Sequence, residues 1–262
     1  MKQEIRTTFH SPEFWLAVII FFLSFFGYSL PRWFQDTDAP LEYKDTALQL
    51  SIGGIYFGGI QLILSFCASL IGATRQVEEV RGGVMRWRVL RLGMNRYMLR
   101  KLFSAALVTA LAMAGAFLVQ AILWRLIALP PEPATYPAHY NFYSEDSLYH
   151  DWYTVAHALP IYVSTATGIA LNGAGIAWLS LAVAVWLPDK LIALVMPTLL
   201  ISAYTGGFFR EIFGISVPFF SDLYNDGLTI SILWQAMAAL IVMMALSAVL
   251  YRLGLERRVR HV

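Results

Sequence analysis

Few side chains in this sequence stand at spacings that support chemistry. Glu78 and Glu79 are adjacent acids, followed by Arg81, Gly82 and Gly83. The proteolytic pattern built on such a pair, Glu-Glu-x-x-x-Arg, would need its arginine at position 83, where this chain has glycine. Gly214-Ile215-Ser216-Val217-Pro218 has the look of a nucleophile turn, but no histidine lies within an apolar run to serve as its base. His139, His150 and His157, with Asp146 and Asp151 near them, match no metal-ligand spacing and read as solvated loop residues. A His-Glu-x-x-His pair is missing, and so is a Gly-x-x-x-x-Gly-Lys-Ser/Thr loop to cradle phosphates. The expectation is therefore no catalytic residue, no metal site and no bound cofactor.

The solvent follows from composition. The 262 residues are 58% hydrophobic and 14% charged, against about 45–50% and about 25% in soluble domains. Mean hydropathy is +0.59. So few charges do not cover a water-facing surface, and the chain reads as all-α and polytopic, with the bilayer as solvent. A net charge of +2 gives no reason to expect nucleic acid as a partner. The single cysteine, Cys67, sits in an apolar run and reads as a small buried hydrophobe.

A helix needs roughly 20 apolar residues to cross about 30 Å of hydrocarbon. Six segments are expected to do so, near 14–30, 47–73, 102–129, 158–187, 191–209 and 228–253. The first is not a cleavable signal, because Tyr28-Ser29-Leu30-Pro31 offers no small-residue cleavage site. Of the 19 Lys and Arg, all but Arg32, Lys44, Arg125 and Arg210 fall on the side of the N-terminus. That bias makes both termini cytoplasmic. Residues 1–13 form a cytoplasmic amphipathic segment, and 14–262 form the transmembrane domain. The long outer loop, 130–157, is dense in aromatics and reads as a packed cap or as a surface that touches substrate. The outer loop at 206–227 looks like a short hairpin dipping into the interface.

Buried ionisable residues inside membrane helices default to function, and the apolar cores here contain almost none. Gln61 and Asn172 are the central amides. They either bond between helices or line a pathway. Gly54 and Gly58, four apart on the second span, permit close helix approach.

The segment 75–95 is the most informative. Glu78 and Glu79 end a helix extension, Gly82-Gly83 permits a sharp reversal, and a short basic helix follows with Val84, Trp87, Leu90 and Leu92 as its apolar contacts. Arg86, Arg88 and Arg91 supply its charge. Gly93-Met94-Asn95 then launches the next membrane helix. Such a helix can seat in a groove on a soluble partner or lie on anionic lipid.

With its acidic pair, Arg81, Gly82 and Gly83, and its re-entry at Arg96, Tyr97, Lys101 and Leu102, this segment resembles the coupling region of ABC-2-type transporter permeases. The six-span layout, cytoplasmic termini and outer hairpin are similar to that family as well. The resemblance implies the membrane subunit of an ABC exporter in a bacterial cell (plasma) membrane. It implies a separate cytoplasmic ATPase that binds ATP and Mg, and a second permease copy or related permease paired through the first and fifth spans. Glu78, Glu79, Arg81, Gly82, Gly83, Arg86, Trp87, Arg88 and Arg91 would then couple to the ATPase. Apolar spans suit a hydrophobic or amphipathic cargo such as a peptide, lipid or drug. The alternative is a non-transporting membrane assembly or signalling protein whose basic loop binds lipid or a regulator.

Overall fold

The computed structural model describes residues 2–35, 50–52, 59–127, 158–205 and 229–260. All regular structure among them is helical. In chain order the helices are α1 (Lys2–Phe9), α2 (Pro12–Gln35), α3 (Gly59–Arg81), α4 (Val84–Leu92), α5 (Met94–Ile127), α6 (Ala158–Trp186), α7 (Lys190–Thr205) and α8 (Ile230–Arg260).

Local chemistry sets several boundaries. Ser11 Oγ accepts the Phe14 N–H at 3.3 Å, and Pro12 occupies the first helical position, where a missing N–H costs nothing. Asp189 caps α7 and Thr229 caps α8 in the same manner. Gly83 and Gly93 take φ of +70° and +80°. L side chains rarely adopt that backbone region, so these two glycines mark the ends of α4.

Among the described residues, five helices are long and apolar enough to cross a membrane, namely Pro12–Pro31, Ile60–Arg81, Met94–Ile127, Leu159–Trp186 and Ile230–Arg260. The third begins at Met94, earlier than the expected residue 102, because Gly93 is the last break before it. Its 34 residues extend about 51 Å at 1.5 Å per residue, longer than the roughly 30 Å of a hydrocarbon core. The apolar helix α7 has 16 described residues, about 24 Å. The loops 130–157 and 206–227, the three loop histidines, Ser216, Gly54 and Gly58 lie outside the described residues.

α3 and α6 form the centre of the bundle. α6 packs on α3, α5, α7 and α8, and α2 packs on α3 and α5. Phe21, Phe25, Leu64, Met113, Phe117, Ile161 and Ile176 are fully buried between these helices, and the Phe25 and Phe117 rings meet at 5.6 Å. At Gly72 an added Cβ would come within 2.7 Å of Ser180 Oγ and 3.2 Å of the Ala177 carbonyl oxygen. A glycine is what lets α3 and α6 cross so closely. Cys67 is buried, as its apolar setting predicts. The outward faces are apolar too. Trp15, Ile19 and Leu23 on α2, Leu107 and Leu111 on α5, and Ile241 and Leu246 on α8 are all exposed. Faces of this kind suit lipid, which carries no hydrophobic penalty against them.

Candidate functional site: the charged end of the bundle

The last turns of α3, α6 and α8 and the first turns of α5 and α7 gather at one end of the bundle. α1 and α4 pack against that end. The site grows from the geometry of adjacent residues on α3. Neighbours on an α-helix point about 100° apart, so Glu78 and Glu79 face different surroundings despite their adjacency.

Glu79 points inward and is 6% exposed. Its carboxylate accepts from Lys101 Nζ at 2.6 Å, Arg88 Nη1 at 2.7 Å and the Tyr97 hydroxyl at 2.9 Å, with Arg75 Nε at 3.6 Å. Gln76, one turn earlier, accepts the hydroxyl of Tyr251 at 3.2 Å and has the Tyr97 hydroxyl oxygen 3.4 Å from its Oε1. Through these two acceptors α3 holds α4, α5 and α8 together. α1 joins the cluster through Glu4, 3.8 Å from Arg88 Nη1 and 3.4 Å from Ser104 Oγ, and through Thr7, which accepts from Arg75.

Glu78 and Arg81 point outward to the turn between α6 and α7. Lys190 Nζ meets Glu78 Oε1 at 2.6 Å. Arg81 donates to Asp189 Oδ2 at 2.7 Å and to the Pro188 carbonyl at 2.5 Å. Asp189 Oδ1 also accepts the N–H groups of Leu191 at 2.9 Å and Ile192 at 3.2 Å. The Ile192 N–H, then the Leu191 N–H and the Arg81 guanidinium, hold the Asp189 carboxyl below the usual carboxylate range. The hydrogen bond from Lys190 to Glu78, and then the Glu78 charge, push the Lys190 amine above its ordinary value. These pairs are exposed, so each contributes little to stability alone. Together they fix one turn of the chain against another.

Gly82 and Gly83 close the end of α3. Their N–H groups donate to Glu78 O at 2.8 Å and Val80 O at 3.3 Å. α4 then runs with Met85 and Val89 buried and Arg88 turned to Glu79. The apolar face expected to make its contacts is therefore the wrong one in part. Leu92 does pack inward, but Val84, Trp87 and Leu90 are 43%, 76% and 63% exposed. The reason is helical phase. The i, i+4 pair Met85–Val89 and the ion pair of Arg88 set the inner side, and the i, i+3 series 84, 87, 90 falls opposite. Arg91 is exposed beside this ridge, and Arg86 is half-buried at its flank.

The expected coupling residues thus separate into three groups. Glu79 and Arg88 belong to the buried cluster, Glu78 and Arg81 to the brace with 188–190, and Trp87 and Arg91 to an outward face. Sequence reasoning passed over Gln76 and Tyr251, and gave Tyr97 and Lys101 no buried charge to bind. A polar residue three positions before Glu79 on the same helix face was the available signal for Gln76. Gln61 and Asn172 are buried on α3 and α6. Asn172 Nδ2 donates to the Gly168 carbonyl of its own helix at 3.0 Å. No group of three or more metal-ligating side chains occurs among the described residues. No family model, curated protein or solved structure matches this chain.

Proposed function

We propose that the chain is the membrane-spanning permease subunit of an ATP-driven exporter. It crosses the membrane six times, with α7 as the short fifth crossing, and both ends lie in the cytoplasm. The single observation that carries this reading is the outward ridge Val84–Trp87–Leu90 on a helix whose other side is bolted to the bundle. An apolar ridge with flanking arginines fits a groove on a soluble protein. Its mounting through Arg88 and Glu79 fits the transfer of motion to α3 and α5.

On this reading a separate cytoplasmic ATPase carries ATP and Mg and grips α4, and the brace at Glu78, Arg81, Asp189 and Lys190 gives it a second foothold. Closure of the ATPase pair moves α4, and the bundle shifts between two states. A second copy of the chain, or a related permease, completes the pathway. The lipid-facing apolar surfaces and the scarcity of buried charge support a hydrophobic or amphipathic cargo. The chain itself makes and breaks no covalent bond.

The test is reconstitution with the nucleotide-binding subunit. Trp87→Ser with Leu90→Ser should abolish ATP hydrolysis stimulated by the permease and leave thermal unfolding unchanged. Full stimulation by that variant would refute the reading. Retention of anionic vesicles, with no ATPase bound, would favour the lipid- or regulator-binding alternative.

A further inference from the structure

The cluster around Glu79 is short of negative charge. Arg75, Arg88 and Lys101 converge on that one carboxylate, and Glu4 is the second acid within reach. Three cations therefore face two anions, with Lys101 and Glu79 buried and the Arg75 and Arg88 side chains 32% and 36% exposed. Glu4 turns its carboxylate toward Arg88 and Ser104.

A cavity of about 30 Å³ opens beside the cluster, between α1, α3, α5 and α6. Its polar lining is Glu4, Thr8, Arg75, Gln76, Lys101 and Ser104. Gln76 is fully buried. The Tyr251 hydroxyl donates to its Oε1, which leaves the Nε2 hydrogens as its remaining polar group. That Nε2 has no hydrogen-bond partner. Lys101 is buried as well, and its ammonium makes one hydrogen bond, to Glu79, out of three available. The lining is thus rich in donors.

We propose that this cavity binds a monovalent anion of chloride size, held by the Gln76 amide, the Lys101 ammonium and the Arg75 guanidinium. The volume suits one or two water-sized guests. A water would satisfy the amide but leave the charge deficit. Sulfate or phosphate would exceed both the space and the single missing charge. An anion here bridges α3 and α5 through Arg75, Gln76 and Lys101, and offsets the repulsion between their positive charges.

The experiment uses the full-length protein in detergent, unfolded thermally in sodium chloride, sodium bromide or sodium gluconate at equal ionic strength. Chloride and bromide should raise the midpoint saturably by about 3 °C over gluconate, as a ligand bound only to the folded state does. Gln76→Glu keeps an acceptor for Tyr251 and supplies the missing charge from the chain. That variant should lose the chloride dependence. Equal midpoints in all three salts for the natural protein would overturn the proposal, as would an undiminished chloride shift in Gln76→Glu. Anomalous diffraction from the unaltered protein in bromide gives a readout independent of any variant. A peak between Gln76 and Lys101 is expected, and an empty cavity would also overturn it.

Discussion

Lys101 Nζ lies 2.6 Å from Glu79 Oε1, and each side chain is 7% exposed. The pair joins the end of α3 to the start of α5 where both leave the apolar bundle. Removing one member of a buried pair leaves the other charge without compensation, which costs about 3–5 kcal/mol. The two members are not equivalent. Glu79 keeps Arg88 and Arg75 if Lys101 is lost, whereas Lys101 has no other acid within bonding distance if Glu79 is lost. Glu79→Gln should therefore destabilise by about 3 kcal/mol or more, and Lys101→Met by less. Thermal or denaturant unfolding of both variants checks the order, and a reversed order contradicts it.

The Asp189 cap predicts a pH response with a definite sign. Its carboxyl is held below the unfolded value of 3.8. The stabilisation is then complete above that value and is lost as pH falls through the lower folded value. The α6–α7 turn and its pair with Arg81 should persist to pH 4 and open below it. The carboxyl carbon shift of Asp189 in a pH titration reads this directly. A midpoint at or above 3.8 would contradict the cap.

Two glycines should fail for different reasons. At Gly83 an added Cβ meets no atom within 4 Å, so Gly83→Ala costs only backbone strain, about 1–2 kcal/mol, and Gly83→Asn costs less. At Gly72 the Cβ collides with Ser180 and with the backbone of α6. Gly72→Ala should cost about 1–3 kcal/mol through overpacking, and Ser180→Gly should recover part of it. Failure of Ser180→Gly to rescue would place the strain elsewhere.

Much of the helix layout was legible because apolar length is a property of each segment alone. The Gly82-Gly83 reversal and the Gly93 break were legible for the same reason, since each depends on one residue's backbone freedom. The phase of α4 was not. Three apolar residues, Val84, Trp87 and Leu90, compete with Met85, Val89 and Leu92 for the inner side, and the ion pair between Arg88 and Glu79 decides. The separation of Glu78 from Glu79 also needed the fold. A sequence places the acids together, but only the tertiary neighbours show that one meets Lys101 and the other Lys190. The meeting of Gln76 with Tyr251 spans most of the chain and leaves no local pattern.

The most direct test of the permease reading is a photo-crosslinking residue placed at Trp87 in cells that also make the candidate nucleotide-binding subunit. The account predicts a crosslink from position 87 to a P-loop ATPase, identified by its peptides, which Leu90→Ser weakens. Labelling of a cysteine at position 87 by an impermeant reagent added from outside the cell, or a position 87 crosslinked to lipid alone, would contradict it.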